Sequence, residues 1–407
     1  MTRKLEPTCH QATPLHTAAN SGSTDTLEFL MPLLKFNHPK DKKGRTPLHY
    51  AAQSGQIEAA KYIIYLLKQE DHKKSKSKME STLIHSNLDL KTIHIFECMD
   101  DLELNKCKLV CRKWNWLVGL FKFHYEKWLR STLKEDRNPM DNFGWTPLHI
   151  AAKKGHLEIC ELITSQIENK TPRIFKTGNT PLHLAVIEGN IETVKYLISV
   201  NSEKNPSNHE GWTPLHYAVH NGLVNTVKIL IPQIEDKSPK DKYGLTPLHL
   251  IAIEGRYRLL KYLMPHLKNT SPVDDSENTP LHYAARCGHL KVVKFLIQNS
   301  NDKIPRDCAG RTSLHFAAKY GHAEIVKELY SIEEKIPKDI NGRTPIHLAA
   351  SRGHLEVIKF FAPLAKWELF SKDSDGLTPL RHAHQGKHTN VINYLISVKK
   401  KKFQVKE

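Results

Sequence analysis

The chain has 407 residues, 39% of them apolar and 25% charged, so it can bury a core and is neither a disordered nor a fibrous composition. Sixty basic residues against 43 acidic give a formal charge of +17, a field that steers anionic partners without choosing among them. Seven cysteines without paired spacing argue against a disulfide framework or a zinc finger.

Taken in order, the first element is a four-residue tag, Thr-Pro-Leu-His, that starts at Thr13 and returns at Thr46, Thr146, Thr180, Thr213, Thr246 and Thr279. Variants begin at Thr312, Thr344 and Thr378. The starts are separated by 33, 100, 34, 33, 33, 33, 33, 32 and 34 residues, and a fixed period of this size marks a stack of identical small modules. Within a module the physics is legible. In the third, Thr146 suits a helix N-cap, Pro147 suits the first helical position, and Ala151 and Ala152 let a neighbouring helix approach closely. A glycine nine residues after the tag threonine (Gly22, Gly55, Gly155, Gly189, Gly222, Gly255, Gly288, Gly321, Gly353) predicts a left-handed helix end. A second helix follows, as at Leu157–Thr164 and Leu290–Ile297. Before most tags, Asp-x-x-Gly-x-Thr predicts a tight turn, and a proline seven or eight residues ahead of the threonine stops the preceding helix. The last module drifts: Arg381 stands where the tag histidine would, and Gly386 falls one residue early, as expected of a terminal cap.

The tag and its period resemble the ankyrin repeat, whose signature is Thr-Pro-Leu-His-x-Ala in a unit of 33 residues. The resemblance implies an all-α solenoid of ten repeats with short finger turns. It also places a target on the fingers and first helices, where this chain carries Phe143, Trp145, Trp212 and Tyr243, then Arg286, Arg311, Lys319, Arg343 and Arg352. An acidic or phosphorylated protein partner with an apolar segment suits that set; the alternative for Trp145 and Trp212 is packing across to the adjacent finger.

The long interval after Thr46 exceeds one period by 67 residues. It opens as a Lys/Ser linker holding Lys73, Lys74, Lys76 and Lys78, and continues with enough apolar residues for short packed helices. Its stretch Ile95-Phe96-Glu97-Cys98-Met99-Asp100-Asp101-Leu102-Glu103-Leu104-Asn105-Lys106-Cys107-Lys108-Leu109-Val110-Cys111-Arg112-Lys113-Trp114 resembles the F-box. The family's opening Leu-Pro falls on Asn87 and Leu88. By resemblance, Leu88, Ile95, Phe96, Leu104, Val110, Cys111 and Trp114 are the residues that dock onto the Skp adaptor of a cullin-based SCF ubiquitin ligase. The bland alternative is a helical insert with a private core.

The expected organisation is therefore residues 1–69 as two repeats, 70–138 as linker and F-box-like insert, 139–398 as eight more repeats, and 399–407 as a basic tail. Two repeats are too few to be stable alone, so we expect the first two to stack on the third across the insert, and a fragment ending near Lys68 to be unfolded. We expect a monomeric, non-enzymatic interaction protein, a substrate-recognition subunit with no catalytic residue, cofactor or metal; the rival is a scaffold without ligase coupling. Nine tag histidines have the repeat period and a structural role, and the local group His382, His384 and His388 converges too little for zinc. The N-terminus has no secretory apolar stretch, and no eighteen-residue apolar run occurs, which points to cytoplasm or nucleus without a membrane partner. The lysine runs at 73–78 and 399–402 suit either nuclear import or solvated charge; net charge alone does not make nucleic acid the partner.

Overall fold

The computed structural model describes residues 12–31, 39–67, 138–300, 302–333, 335–365 and 367–404. Among them there are helices and turns and no strand, an all-α solenoid of helix pairs. Each tag threonine directly precedes a helix, in extended backbone at φ near −76 to −114°. The chain divides into two compact units, residues 1–202 and 203–407.

In the first unit α1 (Pro14–Ser21) and α2 (Thr24–Leu30) form a pair. They are followed by α3 (Pro47–Ser54) with a helix over 57–67, α4. Next come α5 (Pro147–Lys154) with α6 (Leu157–Thr164), and α7 (Pro181–Ile187) with α8 (Ile191–Val200). First helices stack on first helices, α1 on α3, α3 on α5 and α5 on α7. The α3–α5 contact joins residues on either side of the long interval. His49 Nε2 donates to Trp145 O at 3.0 Å, and Asn142 N donates to Lys43 O at 2.8 Å. The second repeat therefore stacks on the third as though the intervening sequence were absent, as the stability argument requires. The insert itself, with Lys73 to Lys78 and the F-box-like residues Leu88, Ile95, Phe96, Leu104, Val110, Cys111 and Trp114, lies outside the described residues. Its expected last residue, Asn138, behaves as part of the following repeat. Its Oδ1 accepts from Leu148 N at 3.2 Å, the same bond that Asn205 makes to Leu215 N.

The second unit pairs α9 (Pro214–His220) with α10 (Val224–Leu230), and α11 (Pro247–Glu254) with α12 (Tyr257–Leu263). Then α13 (Pro280–Cys287) pairs with α14 (Leu290–Asn299), and α15 (Ser313–Tyr320) with α16 (Ala323–Glu333). Last are α17 (Pro345–Arg352) with α18 (Leu355–Leu364), and α19 (Pro379–Gln385) with α20 (Thr389–Gln404). The helix α20 continues through Lys399 to Gln404, so the residues expected to begin a tail at 399 prolong a helix instead.

The core repeats with the sequence. Tag leucines such as Leu148, Leu215 and Leu314 are fully buried, as are the alanine pairs Ala151–Ala152, Ala284–Ala285 and Ala317–Ala318. Small alanines hold first helices close, while the leucines supply the apolar area, each worth about 2 kcal/mol when fully buried.

Two histidine ladders tie neighbouring repeats together. In the tag, His Nδ1 accepts from the backbone N–H of its own threonine at 3.0 to 3.1 Å, which closes the N-terminus of the helix. The opposite nitrogen reaches the next finger: His249 Nε2 donates to Asn278 O, His282 to Arg311 O and His315 to Arg343 O, each at 3.1 Å. A carbonyl can only accept, so each ring is the Nε2–H tautomer. The second ladder starts from the residue after the left-handed helix end, which is a glycine in all but the last repeat. His289 donates to Ile253 O at 2.9 Å, His322 to Arg286 O at 3.0 Å, His354 to Lys319 O at 2.9 Å and His388 to Ser351 O at 3.0 Å.

The last repeat keeps this geometry with different residues. Gly386 has an ordinary helical φ of −77°, and Lys387 takes the left-handed position at φ 57°. That position lies nine residues after Thr378, where the other repeats use glycine.

Candidate functional site

Each finger is a short turn built on one acidic or amide side chain. Asp241 Oδ1 accepts from the backbone N–H of Tyr243 and of Leu245, both at 2.8 Å, while Asp241 N donates to Leu245 O at 2.9 Å. Asp41, Asp141, Asn208, Asp274, Asp307, Asp339 and Asp373 do the same work. The residue two after them is exposed on a rigid support in every such finger but that of Asp307, where Ala309 is half-buried.

Two of the predicted aromatic contacts occupy that outward place. Phe143 is 55% exposed and Tyr243 is 60% exposed. On the next finger Phe175, also 60% exposed, lies over Gly144 and donates its backbone N–H to Phe143 O at 3.1 Å. Phe175 went unnoticed in the sequence because its finger lacks the Asp or Asn found in the others, Ile174 standing there instead.

The two tryptophans are placed differently. Trp212 is half-buried, its Nε1–H donates to Asp241 Oδ2 at 3.1 Å, and its ring packs 5.0 Å from Tyr217 and 5.4 Å from His220. This is the structural alternative, a bridge to the adjacent finger. Trp145 is half-buried beside His149, with Lys153 Nζ 5.6 Å above its ring.

The five predicted basic residues do come together, all in the second unit. Burial, and after it the charges of Arg311, Arg352, Arg286 and Arg343, hold the Lys319 ammonium below the usual lysine pKa. Two of the five already have partners. Arg311 grips Asp307, Nε to Oδ2 at 2.7 Å, and Arg343 grips Asp339, Nε to Oδ2 at 2.9 Å. Arg286, Lys319 and Arg352 have no carboxylate partner among the described residues.

Beside Lys319 a pocket of about 270 Å³ opens, lined by Tyr283, Arg286, Arg311, Phe316, Lys319 and Tyr320, with Asn278 and His282 completing it. The Arg286 guanidinium sits 5.3 Å from the Tyr320 ring centre, and Arg311 lies 4.8 Å from that of Phe316. The nearest finger carboxylate on the other side, Asp274, is committed to Tyr283 Oη, which donates to it at 2.6 Å. Burial works against the Asp274 charge, but the bonds from Tyr283, Asn278 and Ser276 outweigh it and keep its pKa below the usual value. The pocket thus presents cations lying over aromatic rings, a surface for an anion.

The second histidine ladder fixes this surface. His322 and His354 hold the carbonyls of Arg286 and Lys319 themselves, so these two pocket cations sit on backbone anchored from the next repeat. The Gly-His dipeptides at 288–289, 321–322 and 353–354 were the available signal.

The group His382, His384 and His388 does not converge. His382 bonds Asp373 Oδ2 at 2.7 Å and His388 the Ser351 carbonyl. Among the described residues no three His, Cys, Asp or Glu side chains gather to hold a metal ion, and no helix is long and apolar enough to cross a membrane.

A family model described as Ankyrin repeats (3 copies) matches residues 3–76, 122–208, 198–274, 265–339 and 314–406. No curated protein matches the chain. The matched spans leave residues 77–121 uncovered, between the second and third tags. With matches over most of its length and helix pairs at each tag, the chain belongs to the ankyrin-repeat family, a protein–protein interaction module.

Proposed function

We propose that this protein is the substrate-recognition subunit of an SCF-type ubiquitin ligase: the repeats hold a target, and the insert holds the Skp adaptor and, through it, the cullin. The observation that carries the reading is the twenty-residue F-box-like stretch from Ile95 to Trp114, which falls inside the span that the ankyrin match leaves uncovered. Direct stacking of α3 on α5 supports it, because the repeats on either side of the interval meet each other directly. Ile95, Phe96, Leu104, Val110, Cys111 and Trp114, with Leu88, are the adaptor contacts in this reading.

The mechanism is proximity. A target on the repeats is held near the transferase, which raises its effective concentration there without any bond chemistry by this chain. Such a protein works as a monomer in cytoplasm or nucleus.

Affinity purification of the tagged protein from cells, followed by mass spectrometry, tests the proposal. Skp adaptor and cullin should be recovered, and Val110→Asp, which puts a charge among the apolar docking residues, should remove both. If neither is recovered with the unaltered chain, the second reading stands: an ankyrin scaffold without ligase coupling. The sequence at Asn87–Leu88, where the F-box family opens with Leu-Pro, is what favours that rival.

A further inference from the structure

We propose that the pocket lined by α13 and α15 binds a phosphorylated side chain of the target, with Arg286 and Lys319 pairing its charge and Tyr320 supporting the flanking peptide. This rests on the reading that the repeats are the target-binding part.

Charge decides between a phosphate and a carboxylate. Of the three cations lining the pocket, Arg311 is already matched by Asp307, which leaves Arg286 and Lys319 as two uncompensated positive charges. A phosphorylated residue carries about −1.5 to −2 at neutral pH and neutralises both, whereas an Asp or Glu side chain leaves one unmatched. Arg286 offers a planar fork of donors to phosphate oxygens, and Lys319 a compact point charge. The ammonium of Lys319 is partly withdrawn from water and surrounded by like charge, so an anion there recovers both the lost solvation and the repulsion.

The shape favours a peptide over a nucleic acid strand. Two open cations, Arg286 and Lys319, share one pocket of about 270 Å³, the neighbouring Arg343 is occupied by Asp339, and Arg352 is the one further open cation of the five. Tyr320 is 39% exposed at the rim, with the Arg286 guanidinium and the Lys319 ammonium 5.3 and 5.6 Å from its ring centre, and its exposed part is apolar area for a residue beside the phosphate.

The test uses the full chain and fluorescent degenerate peptides centred on phosphoserine, phosphothreonine or phosphotyrosine, each with its unphosphorylated twin. Polarisation should show at least one phosphorylated pool binding roughly tenfold or more tighter than its twin, as expected for charge-assisted bonds. Arg286→Ala and Lys319→Ala should each weaken that binding about tenfold. Lys291→Ala, which removes the same charge from the exposed face of α14, should leave it unchanged. Inorganic phosphate should compete, and added salt should weaken the complex. Equal binding of phosphorylated and plain pools, or indifference to both pocket variants, overturns the proposal. So does a random DNA duplex that binds tighter than every peptide pool and responds to the same two variants. Because Skp capture does not involve Arg286 or Lys319, an adaptor-positive, phosphopeptide-negative protein sinks this inference alone, and an adaptor-negative one leaves it standing.

Discussion

Acid should unfold this protein through its tag histidines, well above the pH at which the finger carboxylates of Asp41, Asp274 and Asp373 titrate. Burial is the first cause that drives the pKa of His49, His249 and His315 down to about 4 and that of His149 to about 3, against an ordinary value of 6.5. Folded values are depressed, so between pH 6.5 and about 4 the unfolded chain binds more protons than the folded one. Stability is complete above pH 6.5, falls as pH drops, and flattens near pH 4 where the folded rings also protonate. At pH 5 each of the four costs about 2 kcal/mol, since a pKa unit is worth about 1.4 kcal/mol, and the four together about 8 kcal/mol. That is comparable with the whole stability of a domain, about 5–15 kcal/mol. The geometry acts in the same direction as burial: Nδ1 already accepts from the threonine N–H, so a proton placed there sets two donors against each other. Circular dichroism at 222 nm against pH should show a cooperative loss of helix between pH 6 and 4.5, and NMR should show the tag rings neutral in the folded protein. Tag rings that titrate near 6.5 in the folded state, or a transition confined to below pH 4 where Asp41, Asp274 and Asp373 lose their charge, would refute the reasoning.

Three further outcomes follow from the geometry. Glu277 holds a left-handed φ of 61° at the turn place that other fingers fill with glycine; Glu277→Gly should raise stability by about 1 kcal/mol in urea denaturation. Gly288 sits at φ 82°, and an added Cβ would lie 2.6 Å from the His322 ring. Gly288→Ala should therefore destabilise by about 2 kcal/mol or more and weaken phosphopeptide binding, since that ring anchors the Arg286 carbonyl. Trp212→Phe, which deletes the bond to Asp241, should lower stability by about 1 kcal/mol, whereas exposed Tyr243→Ala should change it by less than about 0.5 kcal/mol.

The sequence revealed most of the fold because each repeat spells out its own helix start, helix end and turn. Its failures came where one residue does another's work. The left-handed end of α19 falls on Lys387 rather than on the nearby glycine, since the stacking register fixes the position and the residue adapts. Likewise, Glu277 stands where a finger glycine was the signal. At the candidate site, the basic residues were found from their places beside the tag and before the helix end, and the structure gathers them around Lys319. Position alone did not separate Arg286 and Lys319, which are open, from Arg311 and Arg343, which are tied to finger aspartates four residues earlier. Nor did it separate Tyr243, which faces outward, from Trp212, whose indole N–H spans to the next finger. Those distinctions depend on three-dimensional pairing that no repeat pattern records.

The central claim, that a target-holding array carries an adaptor-docking insert, is tested most directly with purified components. The full chain and the Skp adaptor should elute together in size-exclusion chromatography with light scattering as a one-to-one complex. Deletion of residues 77–121 should abolish the complex while leaving the helical circular dichroism of the repeats intact, because α3 already rests on α5. An adaptor that elutes free of the intact chain at micromolar concentrations would contradict the account.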